Sequence, residues 1–176
     1  MIKNKLALLG GPKVLKRKLN RFNHIGKEEL NAAKKVIKTG ILSDYIAASG
    51  PNFLGGKKVR EFEKKCEEFF KVKYAISVNS WSSGLTAMVG AINIQPGDEI
   101  IVSPWTMCAS ASAILHWNAI PVFADISLDD YNLDPKSIEA NISPYTKAIM
   151  VVDIFGQSAK MNEINKIAKK YKLKVI

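Results

Sequence analysis

Cysteine, arginine and long apolar runs near the N-terminus are scarce in this chain of 176 residues, and each shortage argues against a class of protein. The chain has only two cysteines, Cys66 and Cys108, which cannot build a disulfide framework or a cysteine-based zinc site. The longest apolar run near the N-terminus, Leu6 to Leu9, is too short for a signal peptide or a membrane span. We therefore expect a cytoplasmic protein with no membrane partner.

Arginine is also scarce, with 3 residues against 23 lysines in a chain of net charge +10. Proteins that read nucleic acids rely on arginine for bidentate contacts and interleave aromatic residues with the basic ones. Here many lysines stand in pairs on amphipathic segments, and residues 75–135 contain no lysine or arginine at all. The positive charge therefore indicates solvated helix faces, and we expect no nucleic-acid partner.

The apolar periodicity changes along the chain, and the change predicts the fold. Residues 27–39 and 57–70 have the spacing of amphipathic helices, and the loop 41–56 between them is rich in Gly, Ser, Asn and Pro. After residue 74, short apolar runs alternate with helical segments and turn signals, which is the pattern of βαβ units. The sequence thus predicts an α/β fold with a mainly parallel sheet and helices on both faces. The predicted strands are 75–78, 100–103, 120–124, 148–152 and 173–176, and the helices of this part are 82–94, 107–117, 135–142 and 160–171.

The last residues, Lys172–Ile176, have the pattern of a strand that has only just begun. In parallel sheets the functional loops follow the carboxyl ends of the strands. This chain stops where such a loop is due, so we expect a fragment. Residues 1–56 are expected to form an arm of helix and loop, and residues 57–176 to form part of a larger domain.

The segment Ala75–Gly84 carries the most chemical information, because an apolar strand leads through Asn79, Ser80, Ser82 and Ser83 into a helix. Backbone N–H groups and small hydroxyl side chains at the positive end of a helix form an anion site, usually for phosphate. A plain helix cap with a polar turn is the competing interpretation. Neither GxGxxG nor GxxxxGK[ST] occurs, which argues against dinucleotide and P-loop sites.

Polar residues at other strand ends give weaker signals. Asp125 and Asp153 follow predicted strands and are interpreted as loop caps, and His116 is interpreted as a histidine at the edge of the core. No Ser/His/Asp trio and no cluster of metal ligands has convincing spacing, so we expect no metal.

Taken in order, several segments resemble the DegT/DnrJ/StrS family of pyridoxal-phosphate-dependent sugar aminotransferases. The resemblance covers nearly the whole chain and implies the large domain of a fold type I pyridoxal-phosphate enzyme. The segments that carry it are Leu6–Pro12, Thr39–Ser43, Phe62-Glu63, Pro96–Val102 (PGDEIIV), Ala119–Asp125 (AIPVFAD), Tyr145–Ile149, Phe155–Gln157 and Met161.

The resemblance also implies where the cofactor, pyridoxal 5'-phosphate, binds. Its phosphate would rest on the turn Ser80-Trp81-Ser82, in which Trp81 stands where the family commonly has Gly and Ser82 where it commonly has Thr. The family stacks an aromatic side chain on the pyridine ring, and the matching position here is Met107. Trp105 is nearby but out of register.

By the same resemblance, two catalytic groups of the family lie beyond this chain. The Asp that pairs with the pyridinium nitrogen follows the strand 173–176, and the Schiff-base lysine and a small C-terminal domain come later still. None of the 23 lysines matches the motif of that lysine, so no catalytic residue is assigned. We expect residues 1–176 alone to be inactive.

The implied reaction transfers an amino group from glutamate or glutamine to a keto sugar, often nucleotide-linked, or to a keto-cyclitol. The full-length protein is expected to be a homodimer. Two other hypotheses stay open. One is a different fold type I protein, either a cysteine-desulfurase-like lyase or a non-catalytic cofactor-binding sensor. The other is a non-enzymatic module that binds an acidic partner through its basic N-terminal helices.

Overall fold

The chain divides into two units, Met1–Ala75 and Ile76–Ile176, in a computed structural model that describes residues 5–18 and 22–176. Within the described ranges, no helix has both the length and the apolar character needed to cross a membrane. The division expected at residue 56, between an arm of helix and loop and part of a larger domain, stays a prediction.

Two amphipathic helices form the first unit, α1 (Lys27–Thr39) and α2 (Lys57–Phe70), and both confirm the predicted bounds. The Gly26 N–H donates to Glu29 Oε2 at 2.7 Å and so satisfies a backbone group at the start of α1. Gly40 ends the helix at a φ of 71°, a left-handed conformation that glycine adopts without strain. Neither helix fully buries a residue, so both apolar faces are exposed.

Strands and helices alternate through the second unit. In chain order they are α3 (Trp81–Ala91), β1 (Glu99–Val102), α4 (Cys108–Leu115), β2 (Ile120–Phe123), α5 (Pro135–Ala140), β3 (Thr146–Met150), α6 (Met161–Tyr171) and β4 (Lys174–Val175). The four strands form one sheet in the order β2-β1-β3-β4, and every neighbouring pair is parallel.

Alternating side chains of the central strand β1 join the layers of this unit. Ile100 and Val102 pack with α3 and α4 on one face of the sheet. Ile101 points to the other face, where it packs with residues of α5 and α6. All three side chains are fully buried. The predicted parallel sheet with helices on both faces is therefore confirmed.

An exposed polar cluster joins α5 to α6. The Lys170 ammonium lies 2.7 Å from Glu139 Oε1, and the Tyr171 hydroxyl donates to the same oxygen at 3.0 Å. The hydrogen bond from Lys170, assisted by the one from Tyr171, lowers the pKa of the Glu139 carboxyl. Because this ion pair is exposed to solvent, it contributes less to stability than the apolar contacts of the two helices with the sheet.

One predicted strand is wrong. Residues 74–78 form no strand, and the Ile76 side chain is 84% exposed. A strand exists only through a ladder of hydrogen bonds to a neighbour, and no strand of this sheet pairs with residues 74–78. The other predicted elements are present, and none of their ends shifts by more than three residues. His116, expected at the edge of the core, is exposed at the C-terminal end of α4.

A close approach between Gly90 and Trp117 attaches α3 to the segment after α4. The Trp117 indole N–H donates to the Thr86 carbonyl at 2.8 Å. A Cβ atom built on Gly90 would lie 2.1 Å from Trp117 Cζ2, so the indole covers the place where any other residue has a side chain. The helix therefore needs glycine here for contact, although alanine is the better helix former.

We predict that Gly90→Ala destabilises the protein by about 1–3 kcal/mol, because the added methyl displaces the indole and breaks its hydrogen bond. In a Trp117→Ala background the same change should stabilise the protein, by up to about 1 kcal/mol, through helix propensity alone. Urea unfolding of the four proteins measures both values. A change of the same sign in both backgrounds would contradict the contact.

Candidate functional site

The N-termini of α3 and α4 lie at the same edge of the sheet. Helix α3 runs into β1, α4 follows β1, and both pack on one face of the sheet through Leu85, Val89 and Ile114. Because the strands are parallel, each of these helices begins at the carboxyl edge, where ligands of open α/β sheets bind. Two positive helix ends therefore face one edge.

The three residues predicted to bind phosphate, Ser80, Trp81 and Ser82, form the start of α3, which we call the phosphate turn. Ser80 is the cap of the helix: its Oγ accepts a hydrogen bond from the Ser83 N–H at 3.2 Å and lies 3.0 Å from Ser83 Oγ. Trp81 and Ser82 begin the helix with exposed side chains, and helix geometry leaves their N–H groups without an intrahelical acceptor. The cap interpretation is confirmed for Ser80, while the Ser82 side chain is exposed at the first turn of the helix.

The charge at this turn comes from the helix end itself. Residues 75–135 contain no lysine or arginine, and none of their six acidic residues lies in the turn. A helix N-terminus carries roughly half a positive charge on its unpaired N–H groups. Within this segment an anion would thus be bound by N–H groups, hydroxyls and the helix dipole, without an ion pair.

Two hydroxyl contacts shape the loop between β1 and α4. The buried Ser103 Oγ accepts a hydrogen bond from the Trp105 N–H at 3.0 Å, and Thr106 Oγ1 lies 3.0 Å from Ser110 Oγ. Met107 immediately precedes α4, and its side chain is 76% exposed. The structure therefore places an apolar, adaptable side chain at the carboxyl edge, at the second helix N-terminus.

Trp105 belongs to a row of three aromatic rings. Its ring centroid lies 6.4 Å from that of Tyr131, which in turn lies 6.4 Å from that of Phe155. Neither Tyr131 nor Phe155 was assigned to a site from the sequence, because they belong to loops after different strands. The available signal was an aromatic residue beside a turn residue, in Tyr131-Asn132 and in Phe155-Gly156.

The acidic residues at the strand ends have structural partners. Asp125 Oδ1 accepts from the Ile126 N–H at 2.8 Å, and Asp153 Oδ1 accepts from the Ala159 N–H at 2.9 Å. The prediction that both are loop caps is confirmed. Across residues 5–18 and 22–176, no three His, Cys, Asp or Glu side chains come together in a group that could hold a metal ion.

The chain is similar to known sugar-biosynthesis proteins over most of its length. It is 45% identical over 131 residues, or 74% of the chain, to the dTDP-3-amino-3,6-dideoxy-alpha-D-galactopyranose transaminase of Aneurinibacillus thermoaerophilus. It is 39% identical over 152 residues, or 86% of the chain, to the spore coat polysaccharide biosynthesis protein SpsC of Bacillus subtilis. The chain spans 36% of the length of each relative.

Solved structures share the fold. An aminotransferase from Psychrobacter cryohalolentis superposes with a TM-score of 0.80 at 30% identity, over 90% of this chain and 38% of that one. NtdA from Bacillus subtilis, solved with the bound cofactor PMP, gives a TM-score of 0.76 at 28% identity, over 91% of this chain and 37% of that one. The sequence profile of one family matches residues 24–176. The chain belongs to the DegT/DnrJ/EryC1/StrS aminotransferase family, whose cofactor is pyridoxal phosphate.

Proposed function

We propose that this chain supplies the cofactor-phosphate subsite of an aminotransferase that acts on a keto sugar, often nucleotide-linked, or a keto-cyclitol. Glutamate or glutamine is the proposed amino donor, and the full-length protein is proposed to be a cytoplasmic homodimer. One observation carries the proposal. In a chain of this family, two helix N-termini share the carboxyl edge of the sheet, with Ser80–Ser82 at one and Met107 at the other.

The turn at α3 fits the phosphate of the cofactor. A phosphate dianion needs several hydrogen-bond donors and a positive potential, and the N–H groups of Trp81 and Ser82 supply donors at a helix N-terminus. The Ser82 hydroxyl, exposed at the same helix end, adds another. Ser80 contributes indirectly, because its capping bond to Ser83 holds the turn in the conformation that exposes these donors. A Trp81 side chain that points to solvent leaves the N–H groups accessible.

Met107 fits the face of the pyridine ring. It precedes α4 at the same edge as the phosphate turn, and its exposed thioether chain can lie flat against an aromatic ring. Trp105 is less suited, because its ring already belongs to a row with Tyr131 and Phe155. We therefore assign ring contact to Met107 in this proposal.

When bound, pyridoxal phosphate supplies the carbonyl carbon that receives the amino group and the ring that accepts electron density. The residues of this chain hold the phosphate and cover one ring face. The proton transfers need a base positioned at the reacting carbon, and we assign that role, with the pairing of the pyridinium nitrogen, to residues outside 1–176.

For the phosphate turn, we predict that Ser82→Asp in the full-length protein weakens pyridoxal phosphate binding roughly tenfold or more, because a carboxylate then faces the phosphate. The same carboxylate at a helix N-terminus should leave the melting temperature unchanged or raise it. Ser82→Thr, which keeps the hydroxyl, is the matched control and should bind like the wild type. Equal cofactor affinity in all three proteins would refute the phosphate assignment.

For the ring, we predict that Met107→Phe tightens cofactor binding about two- to tenfold, because a rigid aromatic ring stacks better than a flexible thioether chain. Trp105→Phe should change the affinity less than twofold. Absorbance titration with pyridoxal phosphate measures both variants. If Trp105→Phe or Trp105→Leu lowers the affinity while Met107→Ala does not, the ring contact belongs to Trp105 instead.

For activity, we predict that the polypeptide of residues 1–176 does not transaminate, because it lacks a base placed at the reacting carbon. Incubation with pyridoxal phosphate followed by borohydride should not attach the cofactor to one specific lysine, as peptide mass mapping would report. Amino transfer from glutamate to a keto sugar by this polypeptide, at a rate near that of intact relatives, would show the assignment of the missing groups to be wrong.

A further inference from the structure

Backbone strain distinguishes two aromatic residues of the second unit. Among the described residues, six that are not glycine have a left-handed φ. Lys71 and Lys172 end helices α2 and α6, where this conformation is common, and Asn93 and Asn118 are of the residue type that tolerates it. The other two are Tyr131, at 61°, and Phe155, at 55°. A bulky residue in this region is strained, and such strain is concentrated at functional sites.

The two strained residues form one row with Trp105. The ring centroids are 6.4 Å apart from Trp105 to Tyr131 and again from Tyr131 to Phe155. The three residues are 51%, 47% and 78% exposed. Three large rings, with Tyr131 between the other two and all three exposed to water, form an apolar surface. The strained backbone holds two of them there, where a glycine or asparagine would make the turn at lower cost.

A buried amide fixes the two strained loops to each other. Asn132 is 2% exposed, and its side-chain N–H donates to the Gln157 carbonyl at 3.1 Å while its Oδ1 accepts from the Ile154 N–H at 3.1 Å. These bonds join the residue after Tyr131 to the residue before Phe155 and to the second residue after it. The ring row is therefore built on a rigid support, as ligand sites require.

The row lies on three loops that follow β1, β2 and β3, at the edge of the sheet where α3 and α4 begin. The loop of Tyr131 also carries Asp129 and Asp130. These carboxylates disfavour a phosphate group next to this loop. A neutral planar ring, in contrast, gains stacking energy from every aromatic side chain that it covers.

We propose that Trp105, Tyr131 and Phe155 form a stacking subsite for the base of a nucleotide-linked keto sugar. This inference rests on the proposed function, since it names the part of the acceptor that this edge of the sheet recognises. Asn132 is a positioning residue in this subsite, because it contacts the loops and not the base.

The test uses variants that remove a ring without straining the backbone. Asparagine accepts the left-handed conformation, so Tyr131→Asn and Phe155→Asn should keep or raise the melting temperature. Each should weaken the binding of dTDP, UDP and GDP about tenfold, the effect of losing one stacking partner. Saturation-transfer NMR of the three nucleotides with the protein should show the strongest transfer to the base protons. Tyr131→Phe, which keeps a ring, is the matched control.

Three results would overturn the subsite. Ribose 5-phosphate could bind as tightly as the nucleotides, or the asparagine variants could bind nucleotides as tightly as the wild type. The third is that a second copy of the chain buries the three rings. The last would appear as tryptophan fluorescence that changes on dilution together with dimer dissociation. Cofactor binding in wild type and Ser82→Asp is measured on the same preparations. A wild type that binds pyridoxal phosphate but none of the three nucleotides refutes the subsite alone, whereas a Ser82→Asp protein that binds pyridoxal phosphate like the wild type refutes the proposed function.

Discussion

The burial of strands β1 and β3 on both faces is the constraint on which the second unit depends. Ile100, Ile101 and Val102 of β1 are fully buried, and so are residues 148–150 of β3, with at most 1% exposure. A strand that is apolar on both sides needs a helix layer on each side, and parallel strands need crossover helices to join them. That requirement alone brings the start of every helix of the unit to the carboxyl edge of the sheet.

Several polar side chains in the loops at that edge bond to backbone groups. Ser103 accepts from the Trp105 N–H, Asp153 from the Ala159 N–H, and Asn132 bonds both to a carbonyl and to an N–H. Ser103 and Asn132 are buried, and a buried polar group is costly unless it is paired, so these contacts stabilise the observed conformation of their loops. The candidate phosphate turn is different, because helix geometry leaves its N–H groups unpaired and ready for an anion. Rigid loops around an unsatisfied helix end are what a binding site for a small anionic cofactor needs.

Much of the fold follows from local signals, and the errors have a common cause. Helices α1 and α2 have the predicted bounds because amphipathic spacing and the flanking glycines act within one turn of the helix. The strand predicted at 75–78 is wrong because a strand depends on a neighbour, and apolar alternation does not say whether one is present. The site divides in the same way. Ser80 is recognisable as a cap from its place before a helix, whereas the other two rings of the row are 26 and 50 residues from Trp105 along the chain.

The sequence by itself determined the fold class, the family and the turn Ser80–Ser82, because alternating apolar runs, ordered motifs and small polar residues before a helix are properties of contiguous residues. Only the tertiary structure decided that Trp105 shares a row of rings with Tyr131 and Phe155, and that the Met107 side chain is exposed at the start of α4. It also decided that the buried Asn132 side chain joins two loops by hydrogen bonds. The physical reason is that parallel strands gather loops distant in sequence at one edge, and the contacts among those loops depend on strand order and packing, which no local pattern records.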